Sequence, residues 1–257
     1  MQTVLITGAS TGIGFELAKL FARDKYKLVL SANNQARLTA CAERIAAEYD
    51  VPVEAIAQNL AKPGAAKKLV DEINKRNLDI DVLVNNAGFG VLGLFARTEV
   101  GRETELLQVN VVALTELTKL LVPGMVERQS GKILNVGSTA GFVPGPGMAV
   151  YYASKAYVLS FSEALANELH GTGVTVTVLC PGPTRTEFQA RAGITDSRLF
   201  NLMKPMSAAR AAKKGYLAML RGQTVVIPGL TNKAMAGFSR LVPRELIPQV
   251  VRLINEP

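Results

Sequence analysis

Tyr151 and Lys155 stand four residues apart, a spacing that puts both side chains on one face of a helix about one turn from each other. A phenol titrates near ~10, and a neighbouring ammonium favours its ionised form, so such a tyrosine moves toward a range useful for proton exchange with a substrate oxygen. Tyr152, three residues from the same lysine, satisfies helical spacing as well. Spacing does not choose between the two phenols, and core packing is the alternative role of either. Far upstream lies a loop dense in glycine, Thr7-Gly8-Ala9-Ser10-Thr11-Gly12-Ile13-Gly14.

The elements that must position these groups follow from the pattern around them. Gln2 to Ile6 is a β-branched, apolar run that reads as a buried strand, and from Phe15 to Arg23 apolar residues recur at helical spacing. The loop between them is therefore a tight strand-to-helix turn. Gly8 can take the backbone angles of a sharp turn, Gly12 lets the main chain approach a phosphate, and Gly14 lets the helix lie close on the strand. The helix N-terminus would then face a pyrophosphate.

Strand-like segments at Lys27 to Ala32, Val53 to Ala57, Asp81 to Asn85, Lys132 to Val136 and Val174 to Leu179 alternate with helix-like segments. The helical ones are Gln35 to Glu48, Ala65 to Arg76, Arg102 to Glu127 and Tyr151 to Leu169. This alternation predicts an α/β fold: a Rossmann-like, doubly wound, seven-stranded parallel sheet with helices on both faces. The rhythm stops from Pro181 to about Pro205, an irregular stretch of a length that usually serves function. A helix at Ala208 to Leu220 and a strand at Thr224 to Ile227 close the sheet.

Bulk properties agree with one domain over residues 1–257, since 48% hydrophobic and 19% charged residues suit a compact core. The net charge of +8 favours an anionic partner: a phosphorylated cofactor, an acidic carrier protein or anionic lipid. Nucleic acid is disfavoured because the basic residues are dispersed. Cys41 and Cys180 read as packed thiols, and the single histidine, His170, as a surface or helix-end residue with no metal partner. The first strand starts almost at Met1, leaving no room for a leader, and no apolar run approaches membrane-spanning length, so a cytoplasmic location is expected. The tail, residues 230–257, is amphipathic and modestly basic. It is expected to pack on the domain or on a second subunit, with a membrane surface as the less favoured partner, and Pro243 and Pro248 should break any single long helix.

Taken together, the motifs resemble the short-chain dehydrogenase/reductase family in its single-domain branch. The resemblance runs from Thr3 to Gly229, with motifs in the family's order. Thr7 to Gly14 looks like its Thr-Gly-x-x-x-Gly-x-Gly loop, Asn85-Asn86-Ala87-Gly88 like the segment beside the central strand, and Asn110 like its helix asparagine. Ser138, Tyr151 and Lys155 match its serine and Tyr-x-x-x-Lys, and Pro181-Gly182 with Thr186 its nicotinamide turn. The resemblance resolves the tyrosine pair in favour of Tyr151. It implies that Tyr151 exchanges a proton with the substrate oxygen and that Ser138 hydrogen-bonds that oxygen. It implies also that Lys155 binds the nicotinamide ribose and lowers the phenol's pKa, and that Asn110 holds a relay water. The cofactor set it implies includes Gly8, Ser10, Thr11, Gly12, Ile13, Gly14, Asn59, Leu60, Asn86, Ala87, Gly88, Pro181, Gly182, Thr184 and Thr186, besides Tyr151 and Lys155.

At the end of the second strand, where an acid would accept hydrogen bonds from the ribose of NAD, this chain has Ser31-Ala32-Asn33-Asn34-Gln35. The missing carboxylate permits a 2′-phosphate, and Asn33 and Arg37 are candidates to meet it. NADP(H) is favoured, with NAD(H) as the alternative. The expected substrate wall is Gly90, Phe142, Val143, Pro144, Met148, Phe188, Leu199 and Phe200, whose apolar character favours a ketone over a sugar. The expected reaction is NADPH-dependent reduction of an apolar ketone. The alternatives are a 3-oxoacyl carrier-protein reductase and a non-catalytic dinucleotide sensor, and the family implies a homodimer or homotetramer.

Overall fold

The structure, a computed structural model, describes residues 1–188, 192, 205–239 and 242–255. Its frame is a seven-stranded parallel sheet of β1 (Thr3–Thr7), β2 (Lys27–Ala32), β3 (Val53–Ala57), β4 (Val82–Asn85), β5 (Gly131–Val136), β6 (Val174–Leu179) and β9 (Val225–Val226). The strand order is β3-β2-β1-β4-β5-β6-β9. Both faces of each central strand are buried: Val4 and Ile6 of β1 join one core cluster and Leu5 the opposite one, as do Leu28 and Leu30 against Val29 of β2. That burial explains the near-continuous apolar runs in the sequence. Helices α1 (Gly12–Arg23), α2 (Gln35–Tyr49) and α7 (Ala208–Leu220) cover one face, and α3 (Ala65–Lys75), α5 (Leu114–Glu127) and α6 (Ala149–Glu168) the other. Because β1 pairs with both β2 and β4, the chain reverses its direction of sheet growth there, which opens a crevice at the carboxyl ends of those strands.

The segment expected as one helix from Arg102 is continuous from Val100 to Glu127 but not uniform. It is α4 (Val100–Leu107), a π-helical stretch (Gln108–Ala113) and α5. At 28 residues it is long and apolar enough, by length and composition alone, to cross a membrane, which the sequence reading did not anticipate. Its buried residues, Leu106, Ala113, Leu114, Leu117 and Met125, face the domain, and its buried Asn110 and Thr118 hydrogen-bond to other elements. One face of the helix thus packs on the domain, while Val100, Leu107, Val112 and Leu120 remain exposed.

A ladder of buried amides fixes the helices to the sheet near the site. The Asn85 side-chain nitrogen donates to Thr118 Oγ1 and Asn135 Oδ1, each at 3.0 Å, and Asn135 Nδ2 donates to Ser162 Oγ at 2.9 Å. Removing the middle of the ladder strands a donor and an acceptor where water cannot replace them. Asn135→Ala is expected to cost about 2–4 kcal/mol, from the lost bonds and the cavity left behind. A thermal melt would show this as a fall of roughly 5–15 °C.

The irregular stretch after β6 is bracketed by a short parallel pair, β7 (Thr184–Arg185) with β8 (Met206–Ser207). The tail forms α8 (Leu230–Phe238) and α9 (Ile247–Asn255), with Pro243 between them. Pro248 does not break a helix: it is the second residue of α9, where no intrahelical N–H bond is required. Cys41 and Cys180 are buried free thiols, and His170 is exposed just beyond α6.

Candidate active site

The glycine loop is held by side chains from β4. Thr7 Oγ1 accepts from the Asn86 and Ala87 amides at 3.1 Å each, and Asn86 Nδ2 donates to the carbonyls of Thr7 and Gly8 at 2.9 and 3.0 Å. Gly8 has φ +63°, and a Cβ there would sit 2.8 Å from Asn86 Nδ2 and 2.9 Å from Ala87 Cα. A Cβ on Gly14 would collide with the Gly8 carbonyl and Asn86 Nδ2. Gly14 is therefore a packing residue that does not itself line the cavity. Ser10, Thr11, Gly12 and Ile13 do line it, and Thr11, the N-cap of α1, makes no side-chain cap bond. An uncapped helix start beside a glycine cradle fits a pyrophosphate.

From this loop a single cavity of about 950 Å³ runs to α6. Asn33, Arg37, Asn59 and Leu60 line it near the carboxyl end of β2, Ser138, Tyr151 and Lys155 line it beside α6, and Ala87 and Gly88 line it between them, with a Cβ on Gly88 only 3.6 Å from Lys155 Nζ. Pro181, Gly182, Thr184 and Thr186 line it from above the glycine loop, with Thr186 Cγ2 only 3.2 Å from a Cβ built on Gly12. Arg37 is not a bare cation: its Nη1 pairs with Glu187 Oε2 at 2.9 Å. Asn59 Oδ1 accepts from the Ala61 amide at 3.0 Å, a local turn.

Ser138 follows β5 as the N-cap of the short helix Thr139–Phe142, and its Oγ accepts from the Ala140 amide at 3.1 Å, which fixes the hydroxyl at the cavity wall. Tyr151 lies in the first turn of α6, with its ring 5.3 Å from that of Phe188 and 6.0 Å from that of Tyr152. Tyr152 is buried against Gly145, which has no room for a Cβ beneath its ring. Tyr151 is the phenol that faces the Ser138 hydroxyl at the cavity wall. Burial pushes the Tyr151 phenol well above its ordinary range, and the Ser138 hydroxyl offsets this only in part.

The expected lowering by Lys155 is not seen: burial is the largest influence on the phenol, and Tyr152 acts in the same sense. Lys155 is itself buried, donates from Nζ to the Val136 carbonyl at 2.8 Å, and lies 5.9 Å from the centroid of the Tyr151 ring. Burial pulls its pKa down to about 8, with Cys180 acting in the opposite sense. The pair thus consists of a phenol held protonated and an ammonium close to losing its proton.

Asn110 lies beside Lys155: a Cβ built on Gly88 would stand 3.0 Å from its Oδ1 and 3.6 Å from Lys155 Nζ. Its Oδ1 accepts from the Phe89 amide at 3.1 Å, and its Nδ2 donates to the Phe89 carbonyl at 3.0 Å and Ser154 Oγ at 3.1 Å. It does not line the cavity, because these bonds turn its side chain into a brace between the π-helical stretch, the chain after β4 and α6. Of the expected substrate wall, Phe142, Val143, Met148 and Phe188 line the cavity. Gly90 lies behind it, where a Cβ would come within 2.8 Å of Met148 Cε and 3.0 Å of Phe188 Cζ. Pro144 is exposed and lines nothing, since the chain turns it outward beyond the short helix Thr139–Phe142. Leu199 and Phe200 fall outside the described residues. The sequence reading missed the tail, which brings Met235, Phe238, Val242, Ile247, Val250 and Val251 to the same cavity. The amphipathic pattern signalled that the tail packs, with no signal of where.

With this geometry established, comparison with known proteins is informative. The family model described as short chain dehydrogenase matches residues 2–196. A ketoacyl reductase, HetN, of Nostoc sp. is 34% identical over 83% of this chain and 74% of its own length. A short-chain dehydrogenase from Sphingobium yanoikuyae, solved in complex with NADPH, is 34% identical with a TM-score of 0.83, covering 95% of this chain and 97% of its own. The bulky-bulky ketone specific alcohol dehydrogenase from Comamonas testosteroni is 28% identical with a TM-score of 0.79, covering 95% and 96%.

Proposed function

The chain belongs to the short-chain dehydrogenase family, NAD(P)-dependent oxidoreductases of CH–OH groups, and from that premise we propose that it reduces an apolar ketone with NADPH. The observation that carries this reading is the placement of the Tyr151 phenol and the Ser138 hydroxyl together at an apolar wall of the cavity that begins at the glycine loop.

The residues divide the work by position. Ser10 to Ile13 and the start of α1 bind the pyrophosphate, and Pro181 to Thr186 close over the nicotinamide half. When bound, the dinucleotide supplies the hydride. Ser138 Oγ donates to the substrate oxygen and orients the carbonyl, so that negative charge developing there meets a fixed dipole. Tyr151 gives that oxygen its proton. Lys155, as a cation, offsets the phenolate left behind and holds ribose hydroxyls. Asn33 and Arg37, with no acid at the end of β2, favour the 2′-phosphate of NADPH, which is also the ligand of the Sphingobium relative.

Similarity to a ketoacyl reductase, with the net charge of +8, favours one second reading: reduction of a 3-oxoacyl thioester borne by an acidic carrier. Initial rates of NADPH and NADH oxidation against apolar ketones and a 3-oxoacyl thioester test both. Turnover confined to the thioester would replace the first reading with the second, and no turnover of any carbonyl would remove both.

Lys155 sets the pH profile. Its folded pKa of about 8 lies below its ordinary 10.5, so the site loses a cation as pH rises through about 8. For reduction, kcat/KM of the free enzyme is expected to be flat near neutrality and to fall above about 8. The stability effect has the opposite sign. Between about 8 and 10.5 the unfolded chain binds more protons than the folded one, so this group makes the unliganded protein more stable as pH rises across that window. A rate that keeps climbing beyond pH 9 would separate Lys155 from the reaction.

A further inference from the structure

Each of the two tail helices carries apolar residues on two faces. In α8, Asn232 and Ala236 are buried against the domain, while Leu230, Ala234 and Phe238, about half a turn from that stripe, point outward, with Leu230 84% and Phe238 66% exposed. In α9, Ile247 is buried and Val251 packs on the cluster of Ala140, Met148 and Tyr152. Leu246, at the start of that helix, Val250 and Leu253 form an outer stripe that is 47%, 54% and 65% exposed. A helix that packs on its domain by one apolar face ordinarily turns a polar face to water. Here the second stripe of each helix is apolar too, and nothing among the described residues covers it. Phe238 and Val250 bring the two stripes together at the mouth of one cavity.

Charge is segregated to the same part of the chain. Residues 1–184 carry 17 Lys and Arg against 17 Asp and Glu, and residues 185–257 carry 12 against 4, so the whole net charge of +8 lies in the last 73 residues. An asymmetry of this kind marks a region that meets an anionic partner. Arg210, Lys213, Lys214, Lys233 and Arg244 are exposed and pair with no acid among the described residues, whereas Lys67, Arg76 and Arg102 in the neutral part are paired. Lys233 precedes Ala234 of the outer stripe, and Arg244 stands two residues before Leu246. Arg210 lies at the start of α7 beside β8, and a Cβ on Gly229, the N-cap of α8, would stand 3.9 Å from Met206 Cε of β8.

We propose that this outer face docks the protein on an anionic lipid bilayer, with the stripes of α8 and α9 entering the interface and Lys233, Arg244 and Arg210 meeting the charged headgroups. The attachment is peripheral, since two helices of nine residues each are too short to span a membrane. A second copy of the chain would cover the stripes but not satisfy the charge, because a two-fold contact through this face sets a cationic region against itself. An acidic protein would satisfy the charge, but it would cover the projecting Leu230, Phe238 and Leu253 only by offering apolar hollows of its own. A bilayer interface supplies anionic groups and hydrocarbon together. The proposal is independent of which carbonyl the enzyme reduces.

The test is flotation of the whole chain with vesicles of phosphatidylcholine alone and of phosphatidylcholine mixed with phosphatidylserine. Partitioning is expected to be at least about tenfold stronger on the anionic vesicles, and to fall as salt rises from about 0.1 to 1 M and the screening length shrinks from ~10 to ~3 Å. Lys233→Glu with Arg244→Glu should weaken it by about tenfold or more. Leu230→Gln with Leu253→Gln, at exposed positions outside the cavity lining, should weaken it by a similar factor with the melting temperature unchanged, and Leu230→Met with Leu253→Met should retain it. No partitioning onto anionic vesicles, partitioning indifferent to the glutamine pair, or retention by an acidic carrier protein in place of the vesicles overturns the proposal. Sedimentation in which the glutamine pair lowers the subunit count overturns it as well, since the stripes then face a second copy.

Discussion

Tyr151→Phe is expected to lower kcat for ketone reduction by about 10²- to 10⁴-fold, the usual worth of a positioned general acid. NADPH affinity and melting temperature should change little. The substitution removes one oxygen. The ring still packs against Phe188 and Tyr152, and the cradle for the dinucleotide, Thr7 to Gly14 clamped by Asn86, lies on other elements. What disappears is the proton donor, the hydroxyl that faces Ser138 at the cavity wall. Tyr152→Phe is the control, since that ring is buried beside Gly145, and it should retain measurable turnover. Stopped-flow single-turnover rates would separate the chemical step from product release. Comparable losses in both variants would mean that packing around the ring pair, and not proton donation, sets the rate.

The burial that keeps this phenol protonated could not be read from a sequence. A four-residue spacing shows that a cation and a phenol share a helix face, and it predicts that the cation lowers the phenol's pKa. The sign of the outcome depends on how much water each group loses. Here both are buried, desolvation dominates, and the two pKa values move toward their neutral forms: tyrosine upward, lysine downward. A bound dinucleotide, with hydroxyls at Lys155, would restore charge to that lysine and with it some of the expected lowering.

The frame was legible because its signals are local. Lys27 to Ala32, Val53 to Ala57 and Val174 to Leu179 are strands with those bounds: β2 is an almost continuous apolar run buried on both faces, β3 is a partly buried edge strand, and β6 alternates valine with threonine, β-branched residues that suit a strand. Gly8, Gly12 and Gly14 were readable for a similar reason, because backbone geometry at a strand-to-helix turn restricts residue type. Long-range placement was not readable. The side-chain amide of Asn110 bonds to Phe89 and Ser154, partners that only the tertiary fold brings to it. The π-helical stretch that aims it leaves no periodicity distinct from that of an α-helix over six residues. Pro144 was assigned to the substrate wall on apolar character and faces outward, and the tail, assigned to packing, reaches the cavity. Apolar character states that a residue can be covered and leaves open by what.

Asn33→Asp is expected to reverse the cofactor preference, lowering kcat/KM with NADPH by roughly 10²-fold or more while NADH is retained or improved. Asn33 follows β2 directly and lines the cavity, so a carboxylate there faces the adenosine ribose. It would accept hydrogen bonds from a 2′-hydroxyl and repel a 2′-phosphate, and a like-charge contact of that kind costs several kcal/mol. Arg37 decides how much selectivity the natural protein has to lose. It is paired with Glu187, yet both side chains are about half exposed, and a surface ion pair is worth only about 0–1 kcal/mol. A phosphate carrying nearly two negative charges therefore draws the guanidinium away from a single carboxylate at little expense. Glu187→Gln should accordingly leave NADPH affinity equal or slightly higher, while Arg37→Ala should weaken NADPH by about tenfold and NADH hardly at all. If Arg37→Ala weakens both dinucleotides alike, the arginine holds the loop over the cofactor through Glu187, and preference between the two must come from Asn33 and the neighbouring amides.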